Sequence, residues 1–278
     1  MKKWIILLAL IGSLSVPCFG GVVEDNVDDY ITCGSGSTVD NIFDAGGTIL
    51  IRFNLTAWGD ISYPRLLDKS EVGGGANVGF SLYIRRDSDS APASSISFVH
   101  YFDGTPNLGR WSTDASSIST GVDTTVMVTY DNSLTTNNPT IYINGASVNV
   151  TETTTPDGTR LDDSSLDFII GNLATDLNKT PDVTIYEVRA YKRVLSSAEA
   201  SLIHNAKLKS KDIVSATSIS GYWGLDDETA GTSCDGDIFL DLSGNGNNGT
   251  GNDGANDSGL TATAESVLNY PPMILQGM

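Results

Sequence analysis

Glutamates and histidines are the side chains of this sequence that could do acid–base chemistry, and their spacing argues against catalysis. Hydrolysis of a glycosidic bond uses two carboxylates that flank it, and no strand of the sequence carries such a closely spaced acidic set. Glu187 shares a strand face with Arg189, which predicts a structural ion pair. His100 and His204 stand apart from any serine or cysteine nucleophile pattern. We therefore predict no catalytic residue and no enzyme activity.

Tryptophans could hold a sugar rather than cleave it. Sugar binding needs aromatic platforms beside polar groups, and Trp58 and Trp111 fall at predicted loop or strand-end positions. These two are the candidate ligand-binding residues. Packing in the core or at its rim is the alternative for both, because tryptophan is often buried in β-sandwiches.

Acidic and amide side chains near the C-terminus could hold an ion. Asp241 with Asn245 and Asn247 forms one candidate loop, and Asp226 is close to it in sequence. Hard oxygen ligands of this kind suit calcium, so a structural calcium is the predicted cofactor. The alternative is a metal-free turn, since Asn and Gly favour tight turns by themselves. No phosphate-binding, dinucleotide or zinc spacing is present.

The N-terminal residues have the features of a secretion signal. Residues 1–20 carry two lysines, a short apolar run and small residues before Gly21, which predicts a signal peptide and a secreted protein. An acylated Cys18 is the alternative. Cleavage would leave Cys33 and Cys234, and a secreted chain with two cysteines tends to pair them. A disulfide between these two is predicted, with two separate thiols as the alternative.

The net charge of the chain limits the classes of partner that it can bind. The chain of 278 residues has a formal net charge of −18, which repels nucleic acid phosphates and anionic lipid. No stretch after the signal is long and apolar enough for a membrane span. The expected partners are therefore a glycan or an extracellular protein, with no nucleic acid and no membrane span.

The elements that must position these residues are short strands. Thr48–Leu55 alternates apolar and other residues with the period of two that a half-buried strand shows. Further strands are predicted at the positions that follow: Val78–Arg85, Ser95–Tyr101, Thr124–Tyr130, Thr140–Asn144, Ser147–Val150, Leu166–Ile170 and Val183–Tyr191. Asn144-Gly145 predicts a tight hairpin turn. Strands spaced by frequent turn signals favour an all-β sandwich or jelly roll.

One helix is predicted in the mature chain. Ser196 and Glu199 form a capping box, followed by apolar residues with helical spacing. The helix should be short and should end near Ser210. It should follow directly after the strand segment Tyr186–Ser196.

Three local patterns together resemble a known family. They are Tyr130-Asp131 with Pro139–Gly145, the Ile169–Asn172 strand end, and Val183–Ser196 with Glu199. Asp29–Gly34 and Leu67–Ser70 fit its early strands. The set resembles the LamG-like jelly roll of the concanavalin A-like lectin/glucanase superfamily, and the match covers about residues 27–207. The resemblance implies a two-sheet antiparallel jelly-roll sandwich; the acidic motif of the superfamily's glucanases is missing here.

A fourth pattern stands out of order. Residues 219–251 resemble the segment that normally opens the family's domain, yet here they follow the matched part. A circularly permuted sandwich, a second incomplete domain, or a segment that completes a neighbouring molecule would each explain this. We predict the first, with residues 21–278 as one sandwich, because a Cys33–Cys234 bond would join the two segments.

The sequence therefore predicts a secreted, non-catalytic binding module that recognises carbohydrate or a cell surface. The alternative is a structural or adhesive surface or particle protein without a small ligand. A glycoside-active enzyme is disfavoured by the missing acidic motif.

Overall fold

The computed structural model describes residues 19–25, 27–72, 77–173, 178–206, 209–228, 230–254 and 259–266. Residues 1–18 of the predicted signal peptide lie outside the described residues, so secretion stays a prediction. Seventeen strands are present in this part of the chain: β1 Phe19–Asp25, β2 Tyr30–Thr32, β3 Gly47–Leu55, β4 Arg65–Glu71, β5 Val78–Arg85, β6 Ser95–Tyr101, β7 Leu108–Thr113, β8 Asp123–Tyr130, β9 Thr140–Ile143, β10 Ala146–Ser147, β11 Val150–Thr154, β12 Ile169–Ile170, β13 Asp182–Tyr191, β14 Ile219–Trp223, β15 Ile238–Phe239, β16 Gly249–Asn252 and β17 Thr261–Ser266.

The strands form two antiparallel sheets, as the all-β jelly-roll prediction requires. Sheet A has eight strands in the order β10-β9-β8-β3-β13-β1-β17, with β14 also paired to β13. Sheet B has nine strands in the order β11-β7-β6-β5-β4-β12-β2-β16-β15. Side chains from both sheets meet in one hydrophobic core that includes Phe53 of β3, Phe98 of β6 and Trp223 of β14.

The alternation of side chains along β3 explains which of them enter the core, but the second face of this strand is more buried than the sequence predicts. Ile49, Ile51 and Phe53 of β3 point into the sandwich and are fully buried, as predicted. The opposite face of β3 is buried as well, because Leu50 packs under the helix α1, Ser197–Asn205, in a second apolar cluster. A strand face that reads as outward in sequence is thus covered by the helix.

The capping box of α1 is confirmed. The Ser196 side chain accepts a hydrogen bond from the Glu199 backbone N–H, and the Glu199 carboxylate accepts one from the Ser196 backbone N–H. The helix ends at Asn205 rather than near Ser210, because Ala206 already has an extended backbone, and a separate 3₁₀ turn follows at Lys211–Ile213.

Strands from the C-terminal part belong to both sheets. In sheet A, β14 pairs with the second half of β13, and β1 pairs with the first half of the same edge. In sheet B, β16 pairs with β2. Strand β17 pairs with β1 and sets Phe19 opposite Ser266. This pairing supports the circular permutation, which stays a prediction, as does the division of the chain into one sandwich over 21–278.

The predicted disulfide is not formed in the structure. Cys33 and Cys234 are both buried, free thiols in the same core. Burial raises the pKa of the Cys33 thiol well above its usual value and raises that of Cys234 to about 12. Because the thiolate is the form that attacks in disulfide chemistry, burial disfavours oxidation of the folded chain. Strand pairing and core packing hold the C-terminal segment in this structure, and the disulfide stays a prediction.

His100 is buried at one end of the core and is expected to make stability depend on pH. Its Nδ1 lies 3.1 Å from the Tyr101 carbonyl oxygen, and its Nε2 lies 3.2 Å from Nδ2 of Asn132. Burial lowers the pKa of His100 to about 4 from a usual 6.5. The folded state therefore keeps this ring neutral while the unfolded chain takes up a proton. The stabilising contribution is complete above pH 6.5 and is lost as the pH falls towards 4, by roughly 3 kcal/mol in total.

We expect a His100→Gln variant to lose this part of the pH dependence. The measurement is urea unfolding of both proteins between pH 7 and pH 4.5. The difference in unfolding free energy between them should shrink as the pH falls, and a difference that stays constant would contradict the prediction.

Candidate functional site

The predicted ligand-binding tryptophans do not form a platform together. Trp111 of β7 is fully buried, its indole stacks on Phe98 at 6.1 Å between ring centroids, and its Nε1 donates a hydrogen bond to Oδ1 of Asn138. A ring without exposed surface cannot receive a sugar, so the assignment of Trp111 to a ligand site is corrected to core packing. Trp58 is half-buried and packs against the core.

The predicted calcium loop is held by amide donors. The Asp241 carboxylate accepts hydrogen bonds from the backbone N–H groups of Tyr222, Ser243 and Asn247 and from Asn247 Nδ2, at 2.9 to 3.1 Å. A carboxylate offers about four lone-pair sites, so all are in use. A cation at Asp241 would have to displace these donors, and calcium at this loop stays a prediction.

The other predicted ligands of this loop have structural partners. Asn245 Nδ2 donates to the carbonyl oxygens of Ile219 and Ser220, which fixes the loop to β14. Asp226 lies 3.2 Å from Lys209 Nζ in an ion pair. Within the described ranges, no three His, Cys, Asp or Glu side chains are grouped as ligands of one ion.

A groove on the outer face of sheet B is the site with binding chemistry. Side chains alternate along a strand, so Phe80, Leu82 and Ile84 of β5 enter the core while Tyr83 and Arg85 point outward. The same alternation turns outward one set of side chains from β4, β6 and β7. We call the resulting cavity of about 200 Å³ the tyrosine–arginine groove; it is lined by Tyr63, Arg65, Ser81, Tyr83, Arg85, Ser90, Val99, Tyr101 and Arg110.

Aromatic rings form much of the groove. Tyr83 and Tyr101 pack with Val99 as a small apolar cluster of their own, separate from the core. The rings of Tyr63 and Tyr83 meet edge to face at 5.8 Å between centroids. Burial raises the pKa of Tyr101, so its hydroxyl stays protonated at neutral pH. Tyr83 and Tyr101 are buried and form the floor of the groove, so Tyr63, which is half-buried, is the tyrosine whose ring the groove exposes.

Two of the three arginines have structural partners. Arg65 Nη1 donates to the Tyr63 carbonyl oxygen at 2.7 Å, and the guanidinium lies 4.7 Å from the Tyr83 ring centroid. Arg85 Nε donates to the Pro92 carbonyl oxygen, and its Nη2 donates to the carbonyl oxygens of Ser90 and Ala91, which ties down the loop after β5. These two residues shape the groove.

Arg110 is the third arginine. Its Nε, like that of Arg65, is buried and has no hydrogen-bond acceptor among the described residues, but Arg65 Nε lies 3.7 Å from the Asp68 carboxylate, whereas no described carboxylate is paired with Arg110. A buried donor without an acceptor costs about 1–3 kcal/mol, so an acceptor supplied by a ligand would be favoured. An arginine presents its donors as a planar fork that matches a carboxylate or sulfate in two contacts.

One carboxylate lies next to the groove lining. Asp68 of β4 is fully buried, accepts hydrogen bonds from Ser70 and Ser81, and lies 3.7 Å from Arg65 Nε. Burial raises its pKa to about 6. The residues that line the groove include no Asp or Glu, whereas glycoside hydrolysis needs two carboxylates on either side of one bond.

Sequence reasoning missed this groove. The strands of Tyr83, Arg85 and Tyr101 are predicted with the bounds that the structure has, but no binding role is assigned to their outward faces. The available signal was the spacing of Tyr83 and Arg85, two residues apart on the face opposite Leu82 and Ile84. The contribution of β7 depends on its place beside β6 in the sheet.

No helix in the described ranges has both the length and the apolar character that crossing a membrane requires.

Comparisons with known proteins agree with this fold. A protein from Bacteroides ovatus, for which carbohydrate binding has been proposed, superposes with a TM-score of 0.56 at 17% identity. The alignment covers 91% of this chain and 62% of that one. A heptameric SAP-like pentraxin from Limulus polyphemus superposes with a TM-score of 0.51 at 9% identity, covering 93% of this chain and 100% of that one. At such low identities these similarities concern the fold alone.

Sequence comparison identifies the family. A search among curated protein sequences gives no match. A family model, Laminin_G_3, of the concanavalin A-like lectin/glucanases superfamily matches residues 25–201, which is more than half of the chain and contains β2 to β13. The early strands, the hairpin and the capped helix that suggested the resemblance fall almost entirely within this range. The chain therefore belongs to the Laminin_G_3 family of the concanavalin A-like lectin/glucanase superfamily.

Proposed function

We propose that this protein is a secreted, non-catalytic binding module that holds a glycan bearing an acidic group in the tyrosine–arginine groove. The observation that carries the proposal is Arg110, whose buried Nε has no acceptor among the described residues. The acidic group would take the donors of Arg110, while a sugar ring lies against Tyr63, the half-buried ring of the lining.

The distribution of charge supports an acidic ligand in the tyrosine–arginine groove. The whole chain is strongly acidic, with a net charge of −18, and so repels anionic ligands over most of its surface. The groove concentrates three arginines and no carboxylate in its lining. This local reversal of sign favours a carboxylate or sulfate over a neutral sugar.

The lining also supports binding without hydrolysis. Asp68 adjoins this lining at Arg65, and its hydrogen bonds to Ser70 and Ser81 hold it below the surface. A second carboxylate across the groove, which hydrolysis would need, is not among the lining residues.

The test is binding to an array that contains uronic, sialylated and sulfated glycans together with neutral ones. We expect the wild-type protein to retain acidic glycans, with binding weakened by salt. Arg110→Ala should bind them about 10- to 100-fold more weakly, because a hydrogen bond to a charged group contributes about 1.5–3 kcal/mol. Arg110→Lys should restore only part of the affinity, since an ammonium lacks the planar fork.

Lys192→Ala is the matched control. Lys192 is exposed and follows β13 of sheet A, so the variant loses one positive charge outside the groove. It should bind as the wild type does. Equal binding by the wild type and Arg110→Ala would show that the ligand does not bind in the tyrosine–arginine groove. Retention of neutral glycans alone would refute the acidic ligand, and no retention of any glycan would favour a structural or adhesive role.

A further inference from the structure

Lys69 of β4 is a lysine whose side chain has no contact with solvent. Its relative exposure is 0%, whereas lysine is almost never fully buried unless it is paired. Lys69 Nζ lies 3.2 Å from Asp40 Oδ1 and 3.7 Å from Asp163 Oδ1. It also donates a hydrogen bond to the Leu166 carbonyl oxygen. One buried amine therefore faces two carboxyl groups inside the protein.

The three groups come from three separate parts of the chain. Lys69 belongs to β4, which lies between β5 and β12 in sheet B. Asp40 lies in the connection between β2 and β3, and Asp163 lies in the connection between β11 and β12. A covalent bond between Lys69 and Asp40 would therefore fasten the first of these connections to an inner strand of sheet B.

Asn41 holds the Asp163 carboxyl group in place beside Asp40. The Asn41 backbone N–H donates to Asp163 Oδ1 at 2.7 Å, and the Asp163 backbone N–H donates to Asn41 Oδ1 at 3.1 Å. Burial raises the pKa of Asp163 to about 6, and Asp40 adds to this effect while Asn41 and Lys69 oppose it. Asp163 can therefore take up and release a proton near neutral pH, next to the Lys69 amine.

We propose that Lys69 and Asp40 condense to an isopeptide bond inside the folded protein. The bond between Lys69 Nζ and the Asp40 carboxyl carbon forms, and one carbon–oxygen bond of that carboxyl group breaks. An ammonium and a carboxylate together contain the atoms of one amide and one water molecule. The reaction therefore releases one water and needs no oxidant, reductant or activating group.

Asp163 is the proton carrier of this step. The Lys69 ammonium passes one proton to the Asp40 carboxylate, which leaves a neutral amine that attacks the carboxyl carbon. A second proton moves from the nitrogen through Asp163 to the hydroxyl group on that carbon, which leaves as water. Asp163 ends in the protonation state in which it began, as a general acid–base group does.

Two physical effects favour the condensation. The fold holds the amine against the carboxyl group, so the reaction is unimolecular and the entropy of bringing the groups together has been lost during folding. The product amide is neutral, whereas the ion pair that it replaces consists of two charges that are costly to keep out of water. The bond would also shorten the free length of the unfolded chain, which stabilises the folded state as a disulfide does.

The test is mass spectrometry of the purified full chain after unfolding and digestion with trypsin. The peptide that contains Asp40 should be joined to the peptide that contains Lys69, at one water below their summed mass and without cleavage after Lys69. Cyclisation at an Asp-Gly pair such as Asp103-Gly104 also loses water, but it stays within one peptide. Two separate, unmodified peptides with cleavage after Lys69 would overturn the proposal, whether or not any variant folds.

Three variants assign the roles. Asp40→Ala removes the carbon that is attacked and should give separate peptides. Asp163→Asn keeps the shape of the side chain but carries no proton, so bond formation should slow by about 10²–10⁴-fold and the freshly purified protein should give mainly separate peptides. Circular dichroism would show that both variants are folded.

Asp226→Ala is the matched control. Asp226 Oδ2 also lies 3.2 Å from a lysine Nζ, that of Lys209, but its side chain is 41% exposed. This variant should give the joined peptide in the same yield as the wild type. A joined peptide that persists in Asp40→Ala, or at the wild-type yield in Asp163→Asn, would overturn the roles given to these two residues.

Discussion

A chain that stops at Ser210 is expected to lose cooperative unfolding and to aggregate. The truncation removes β14 from the edge of β13 and β16 from the edge of β2, so each sheet gains an unpaired edge. It also removes Trp223, Phe239 and Leu260, which are fully buried in the core. Unpaired strand edges beside exposed apolar surface promote association between chains. This change should have the largest effect of those we describe.

Circular dichroism during heating and size-exclusion chromatography would measure the result. A chain that stops at Ser266 is the matched control, because it keeps every strand of the described structure and should melt cooperatively. A soluble 21–210 fragment with a cooperative melt would show instead that the C-terminal strands are an addition to a fold that stands without them.

Replacement of Glu187 by alanine is expected to lower the free energy of unfolding by about 3–5 kcal/mol. Glu187 lies between two buried arginines, 3.2 Å from Arg52 Nη2 and 2.8 Å from Arg189 Nη2. Burial would raise the pKa of Glu187, but Arg189 and Arg52 outweigh it and lower the pKa below its usual value. Without the carboxylate, two buried positive charges would face each other across β13 and β3.

Denaturant unfolding at pH 7 would measure this loss. The control is a triple variant, Arg52→Met with Glu187→Leu and Arg189→Met, which removes all three charges and should be more stable than Glu187→Ala, because apolar replacement of a complete buried ion group is often neutral. A Glu187→Ala protein within about 1 kcal/mol of wild type would show that the arginines reach water.

Local features of this fold could be read from the sequence. The alternation of Ile49, Ile51 and Phe53 predicted the buried face of β3. The Asn144-Gly145 turn is confirmed by positive φ angles at both residues, as a two-residue hairpin turn requires. The ion pair of Glu187 and Arg189 is confirmed at 2.8 Å. Each depends on residues close together in the chain, whose spacing fixes their geometry.

Features that depend on strand order could not be read in this way. Arg110 joins the groove because β7 lies beside β6, and Lys69 meets Asp40 and Asp163 because two long connections converge on β4. Nothing in the local spacing of Lys69 distinguishes it from a surface lysine. The burial of Trp111 also depends on partners that are far away in sequence, such as Asn138.

The antiparallel pairing of β1 with β17 has a mechanical consequence. Because Phe19 lies opposite Ser266, the described chain enters and leaves the molecule at the same end of one strand pair. Tension that pulls these two ends apart would load the hydrogen bonds between the strands one rung at a time, as in a zipper, rather than all together in shear. Under stretching, β1 and β17 should therefore separate at low force, while the inner pairs around β3 and β13 still hold.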